Sequence, residues 1–296
     1  MRIWKAHKKP VRSLAFSPDG LTLASAGADR QVCLWDLHTG TARAVLAGCA
    51  GDCGIAFSPD GRFLALAGDS VQVWATESWE RLLRHPTRFR RACFSADGRF
   101  LFAAGERVWC WNVGGWDGRW ALPAVPTDGY QPYGTGGLSL SPDGRVVAST
   151  HQEWNRTVRR GRSAIHLCDA DTGEPTGALR RSGHTLVIAH SPCGRWIAGA
   201  YGPTIHVWDL SAGREIAALR AGNFHYLDLA FHPDGRNLFV VSNDRTVRCW
   251  DGDHWQERHA LDFDVGKLKC LAIAPDGLTA AAGGDTGKVV IWDVDF

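Results

Sequence analysis

The residue types of a hydrolase triad, His7, Ser25 and Asp29, occur close together near the start of the chain. In such a triad the histidine takes a proton from the serine hydroxyl, and the aspartate orients the imidazole. The chain has no Gly-x-Ser-x-Gly turn around Ser25, which would expose that serine at the end of a strand. Ser25 lies instead in an apolar run, Leu21–Ala26, that predicts a short β-strand. The sequence therefore does not favour nucleophilic catalysis by these residues.

Two further patterns approach a phosphate loop and a metal site without completing them. Residues 282–289 have the glycines and lysine of a phosphate loop, but Ala282 replaces the first glycine and Val289 the final Ser or Thr. Cys49 and Cys53 lack a second ligand pair, and the 12 histidines include no His-Glu-x-x-His pattern. We therefore expect no enzyme, no cofactor and no metal. A catalytic site assembled from scattered loops remains a third alternative.

A turn with the sequence Ser-Pro-Asp-Gly recurs along the chain and separates the predicted strands that carry the other residues. It first occurs at Ser17–Gly20, where proline presets φ, aspartate can bond its own backbone and glycine tolerates a positive φ. Related turns begin at Ser58, Ser95, Ser141, Ser191, His232 and Ala274. Each is followed by an apolar run that ends in Trp-Asp or a related pair, first at Trp35-Asp36. Repeats of about 40–45 residues with this ending are typical of the four-stranded blades of a propeller.

The repeated turns and Trp-Asp endings resemble the WD40-repeat β-propeller family over the whole chain. The resemblance implies an all-β fold, a seven-bladed WD40-type β-propeller closed by an N-terminal strand, Arg2–Lys5, that completes the last blade. Residues 1–296 would form this single domain, with blades at about 7–46, 48–83, 86–122, 137–179, 184–219, 225–261 and 267–296 plus 1–5. The family also implies a buried structural chain of polar residues across blade one, formed by His7, Ser25, Asp29 and Trp35.

Composition narrows the class of protein and its compartment. The net charge is only +2, which weighs against binding to extended polyanions or membranes, and 45% hydrophobic residues suffice for a large core. Nine scattered cysteines predict small buried thiols and a reducing cytoplasm. The sequence shows neither a signal peptide nor an apolar run long enough to span a membrane, so we expect a cytoplasmic protein.

Three segments depart from the repeat and carry arginine or aromatic residues, 84–91, 123–137 and 151–163. Alternate connections of a four-stranded meander emerge on opposite sides, so these three, interpreted as loops, should share the top face of neighbouring blades two to four. The residues expected to bind a partner there are Arg88, Arg90, Arg91, Tyr130, Tyr133, Trp154, Arg156, Arg159, Arg160 and Arg162. Arginine and aromatic residues are enriched where interfaces concentrate their binding energy.

These observations predict a monomeric, non-enzymatic scaffold that binds protein or peptide partners on its top face. The arginines favour a partner with acidic character. The alternative is a site for nucleic acid or a phosphorylated ligand, made by the same arginine and aromatic patch. A polyanion site would lose affinity steeply with salt, which separates the two hypotheses.

Overall fold

The chain folds into seven sheets of four strands each, and the described residues contain no helix. The computed structural model describes residues 1–47, 53–122, 131–155, 160–182 and 187–294, with the backbone alone at 131–135, 152–155, 160–163 and 181–182. Within each sheet neighbouring strands are antiparallel, and in six of the seven sheets they follow the order of the chain. The seven-bladed propeller predicted from the repeats is thereby confirmed.

The first strand of the chain belongs to blade seven, the next 24 strands form blades one to six in order with four strands each, and the last three strands complete blade seven. The strands are β1 (Arg2–Lys5), β2 (Val11–Phe16), β3 (Thr22–Gly27), β4 (Gln31–Asp36), β5 (Ala42–Ala47), β6 (Gly54–Phe57), β7 (Phe63–Ala67), β8 (Val71–Ala75), β9 (Arg81–His85), β10 (Phe89–Phe94), β11 (Phe100–Gly105), β12 (Val108–Asn112), β13 (Gly118–Ala121), β14 (Gln131–Leu140), β15 (Val146–Asn155), β16 (Arg160–Asp169), β17 (Pro175–Ser182), β18 (Val187–His190), β19 (Trp196–Tyr201), β20 (Thr204–Asp209), β21 (Arg214–Leu219), β22 (Tyr226–Phe231), β23 (Asn237–Ser242), β24 (Thr246–Asp251), β25 (Glu257–Asp262), β26 (Leu268–Ile273), β27 (Thr279–Gly284) and β28 (Lys288–Asp293).

The repeated turn connects the first and second strands of each blade and is held by its own side chains. In blade one the Ser17 hydroxyl donates to Asp19 Oδ1 and accepts from the Thr22 amide at 2.9 Å. Asp19 Oδ1 also accepts from the Leu21 amide at 2.9 Å, and Gly20 has a φ of 69°. The same serine and aspartate bonds recur in blades two to four. The turn sequence therefore sets the local geometry without help from the core.

The ring is closed by β1, which pairs antiparallel with β28 from Arg2 opposite Ile291 to Lys5 opposite Lys288. Beyond β1, the amides of Ala6 and His7 both donate to the Gly287 carbonyl at 3.0 Å. Gly287 has a φ of 78°, and a Cβ there would lie 2.2 Å from the His7 carbonyl oxygen, so only glycine fits. The N-terminal strand thus completes blade seven, as the sequence predicted.

Apolar side chains fill the spaces between neighbouring blades. Leu34 of blade one packs with Leu64 of blade two, while Val11 and Leu23 of blade one pack with Val289 of blade seven. Each cluster of this kind links two blades, so the core is distributed around the ring. The terminal strand joins one of these clusters through Trp4, whose ring centroid lies 5.6 Å from that of Trp35.

Blade four differs from the sequence prediction. Its strands β14, β15 and β16 are ten residues long, whereas the strands of the other blades have four to six. The prediction of loops at 123–137 and 151–163 is wrong for residues 131–137, 151–155 and 160–163, which extend the sheet. Ladder hydrogen bonds override the turn-like composition of these residues because each strand finds a partner along its full length.

Candidate functional site

The top face of the ring is the face on which the first strand of each blade begins. Arg88 lies exposed on this face, directly before β10, and Arg90 is exposed on β10 itself. Arg91 is only half-exposed because its side chain turns into the central channel. These three of the arginines predicted to bind a partner are therefore divided between the rim of the channel and its interior.

Arg90 reaches the channel because β10 contains a β-bulge. Phe89 pairs with Gly105 and Arg91 with Ala104, so Arg90 is the extra residue in the strand. A bulge redirects side chains and ends regular pairing locally. The same register shift occurs in β2, β22 and β26, where the extra residues are Arg12, Leu227 and Lys269. Three of these four bulges therefore present a cation at the same level of the ring.

The bulge residues line a cavity of about 210 Å³ at the mouth of the central channel. Its other lining residues are Cys53, Arg91, Gly136 and Val187. We call this set of eight residues the channel mouth. Side chains from six blades converge there, and blade four adds Gly136. The charge of the mouth could therefore not be predicted from any single segment of the sequence.

One ion pair crosses the channel just below the mouth. Arg91 of blade three places Nη2 3.5 Å from Oδ1 of Asp228 in blade six. Asp228 Oδ2 also accepts a hydrogen bond from the Leu271 amide at 3.0 Å. Burial raises the pKa of Asp228, and the Arg91 guanidinium offsets part of this rise. Arg91 thus stabilises the ionised carboxylate inside the channel.

The extended end of blade four stands on the same top face and carries the other predicted residues. Trp154 pairs with Gln131 on one side and Gly161 on the other, Arg162 pairs with Glu153, and Arg160 with Asn155. Tyr133 lies in β14 at a shift of register between Pro132 and Gly134. The sheet therefore brings the backbones of Tyr133, Trp154, Arg160 and Arg162 together. Tyr130, Arg156 and Arg159 lie outside the described residues.

The polar chain of blade one connects His7, Ser25, Asp29 and Trp35. His7 Nδ1 lies 3.0 Å from Asp29 Oδ1 and His7 Nε2 lies 2.8 Å from Ser25 Oγ, which also accepts from Trp35 Nε1 at 2.9 Å. The Lys8 amide donates to Asp29 Oδ2 at 2.8 Å. Ser25 is fully buried between strands. A substrate cannot reach its hydroxyl, and the arrangement ties loop to strand.

Two buried polar clusters lie where sequence analysis did not place any. In blade six the Arg248 guanidinium donates to Asp244 Oδ2 at 2.8 Å and lies 4.0 Å from the Phe224 ring centroid. In blade five His206 Nδ1 lies 2.7 Å from Glu215 Oε1. The sequence signal that could have revealed both clusters is a titratable residue at the third position of a blade's third strand. Arg248 and His206 occupy that position, where blade one has Cys33. Each cluster lies within one blade, and we interpret both as structural.

The described cysteines depart from the prediction of small buried thiols at Cys53 and at Cys193. Cys53 forms a disulfide, whereas the other described cysteines are free thiols. Burial raises the pKa of Cys33 and Cys168 to about 11, so both are inert. Cys193 is exposed rather than buried. Within the described residues, no group of three or more His, Cys, Asp or Glu side chains could hold a metal ion. The described residues form strands and no helix, so they include no candidate for a membrane-spanning helix.

Comparison with protein families identifies the repeats. The family described as WD domain, G-beta repeat matches residues 1–36, 174–209, 220–251 and 259–293. These matches include blade one through β4, the last strand of blade four and most of blades five to seven. The chain is a WD40-repeat protein. Blades two and three lie outside the matched ranges, and blade two has Leu66 in place of the buried serine of blade one.

Similar proteins match parts of this WD40 protein. The small ribosomal subunit protein RACK1 of Drosophila melanogaster is 29% identical over 122 residues, covering 38% of this chain and 36% of RACK1. The nuclear distribution protein PAC1 of Arthroderma otae is 32% identical over 127 residues, covering 38% of this chain and 27% of PAC1. Apoptotic protease-activating factor 1 of Rattus norvegicus is 26% identical over 100 residues, covering 34% of this chain and 8% of that protein. The matched segments thus span about a third or less of these relatives.

Proposed function

We propose that this protein is a non-enzymatic scaffold that binds a protein or peptide segment of acidic character on its top face. The observation that carries the proposal is the extended end of blade four, which stands beside exposed Arg88 and Arg90 on one face. The extension adds about four residues to each of three strands, or roughly 13 Å of sheet. No other described blade has such a wall, so the top face is asymmetric and offers a partner one preferred side.

Arginine and aromatic residues suit this role. Arginine pairs with carboxylates through two parallel hydrogen bonds, and tryptophan contributes buried area at low entropic cost. Trp154, Arg160 and Arg162 belong to the extension, so the proposed binding patch joins them to Arg88. RACK1 is by name a ribosomal subunit protein and therefore works in an assembly. That relationship supports a scaffold role for the WD40 ring of the present chain.

The scaffold would act as a monomer in the cytoplasm. Every blade has its four strands, so the ring needs no second copy to complete a sheet. The free cysteines at seven described positions suit a reducing compartment, whereas the Cys53 disulfide suits an oxidising one. Counting the thiols of the denatured protein with and without reductant would show whether the Cys53 disulfide forms.

The test is retention of partners from a lysate by purified protein, followed by binding measurements with each partner captured. The test variants are Arg88→Ala with Arg162→Ala, and Trp154→Ala alone. The matched control is Arg145→Ala with Arg236→Ala, which removes two exposed arginines from turns on the opposite face. We expect the test variants to weaken binding about tenfold or more, as for central interface residues, and the control to bind like wild type. Equal binding by all variants would refute the proposed face.

A further inference from the structure

Positive charge is concentrated at the channel mouth. Arg12, Arg90, Arg91 and Lys269 line it, and Asp228 is the carboxylate that faces them from below. Among the described residues, the recess thus has four cationic side chains and one facing carboxylate. A recess lined by one sign of charge with low-dielectric walls focuses its field and attracts counter-ions.

Two of the cations at the mouth, Arg90 and Lys269, keep donors free for a ligand. Within the described part of the chain, Arg90 and Lys269 have no hydrogen-bond or ion-pair partner. Arg91 contacts Asp228 through Nη2 at 3.5 Å, and a guanidinium has five N–H donors in all. Like charges held around one recess repel one another, so an anion bound between them removes an unfavourable interaction as well as adding favourable ones.

We propose that the channel mouth binds a phosphoryl group carried by a serine or threonine of the partner segment. This inference rests on the proposed function and names the chemistry that anchors the partner. A phosphoryl group has a charge of about −1.5 to −2 and three strong acceptor oxygens. It therefore matches Arg90 and Arg91 of blade three and Lys269 of blade seven better than a carboxylate with one charge and two oxygens.

The size of the cavity sets the class of ligand. About 210 Å³ accommodates one such head group and the side chain that bears it, whereas a nucleic-acid duplex is too wide to enter. Gly136, Val187 and Leu227 form the neutral part of the wall. They leave room for the carbon atoms of the bearing side chain and provide no acceptor side chain that would repel a phosphate.

The probes are inorganic phosphate and a five-residue peptide with a central phosphoserine flanked by glycines. The same peptide with serine, and with glutamate, at its centre serves as comparison. Binding is measured by calorimetry to wild type, to Arg90→Gln with Lys269→Gln, and to Arg90→Gln alone, which changes an exposed residue. The matched control is Arg145→Gln with Arg236→Gln on the opposite face. Circular dichroism of each variant verifies the fold.

We expect the phosphoserine peptide to bind wild type and the control equally, and the double variant about tenfold more weakly or worse, because each lost charge-assisted bond is a strong one. Affinity should also fall as salt is raised. Phosphopeptide binding tighter than phosphate by tenfold or more supports a phosphorylated partner segment. If the phosphoserine peptide and inorganic phosphate bind equally well, the site is one for free phosphate, and the proposal of a phosphorylated partner segment is wrong.

Three results would overturn the proposal. These are the absence of binding by both probes, equal binding by the double variant and wild type, or equal binding of the glutamate and phosphoserine peptides. Phosphatase treatment of the lysate distinguishes failure of the phosphoryl site from failure of the proposed scaffold function. If partners retained through Arg88 and Arg162 persist after phosphatase, the scaffold function stands and the phosphoryl site falls.

Discussion

Replacing Asp29 by alanine removes the carboxylate at which the polar chain of blade one ends. Two donors lose their acceptor, His7 Nδ1 at 3.0 Å and the Lys8 amide at 2.8 Å. The two donors are not equivalent. The His7 side chain is fully buried, whereas Lys8 is exposed and water can satisfy its amide. The cost should therefore come mainly from His7.

The magnitude follows from this difference. A buried donor left without a partner costs about 1–3 kcal/mol, and a hydrogen bond that water can replace costs about 0.5–1.5 kcal/mol. We expect Asp29→Ala to lower the free energy of unfolding by about 2–3 kcal/mol. Asp285→Ala in blade seven removes one comparable bond, from the exposed Lys267 amide at 3.0 Å, with no histidine behind it. Its cost should be about 1 kcal/mol.

Equilibrium unfolding in guanidinium chloride, followed by tryptophan fluorescence, measures both values on the same scale. Asp285→Ala serves as the matched control because it changes the same residue type in the corresponding turn. Asp29→Asn, which keeps one acceptor oxygen, should lie between wild type and Asp29→Ala. Equal losses for Asp29→Ala and Asp285→Ala would refute the reasoning, since they would show that the buried histidine contributes nothing.

Three further predictions concern stability. Deleting Met1–Lys5 removes β1 and the packing of Trp4, so the melting temperature should fall by an amount equivalent to at least about 1.5–3 kcal/mol; an unchanged melting curve would contradict this. Arg91→Met leaves Asp228 buried without its cation, and because burial already raises the pKa of Asp228, the loss in unfolding free energy should be larger at pH 7 than at pH 4. Burial lowers the pKa of His190 to about 4, so wild type should lose stability as pH falls from about 6.5 towards 4, and His190→Gln should flatten that slope.

The ring could be predicted from the sequence because its determinants are local. The turn at Ser17–Gly20 bonds to itself, and its copies fix the strand boundaries around them. The closing strand Arg2–Lys5 could be predicted because the last blade lacked an outer strand. Blade-one residues such as His7 and Asp29 were correctly placed on one chain of polar groups because their spacing matches the family.

The channel mouth could not be predicted because it is assembled from residues far apart in the chain. Arg12, Arg90 and Lys269 lie in three different blades, and their positions depend on bulges that no turn residue announces. Asp228 had no visible partner in the sequence, since Arg91 meets it only across the channel. The extension of blade four was missed for a related reason, because pairing between distant strands overrides local composition.

A repeated fold can acquire a site only where its repeats differ at little cost to the ring. Bulge positions meet this condition, because the extra residue is left outside the regular ladder and its side chain is not needed in the core. The next residue along β10, Arg91, resumes pairing and holds Asp228, so it contributes to stability. It follows that Arg90→Gln should change the free energy of unfolding by less than about 0.5 kcal/mol, the usual range for surface sites, while weakening binding of the phosphoserine peptide. A comparable loss of stability in Arg90→Gln and Arg91→Met would contradict the expectation that folding requires Arg91 but not Arg90.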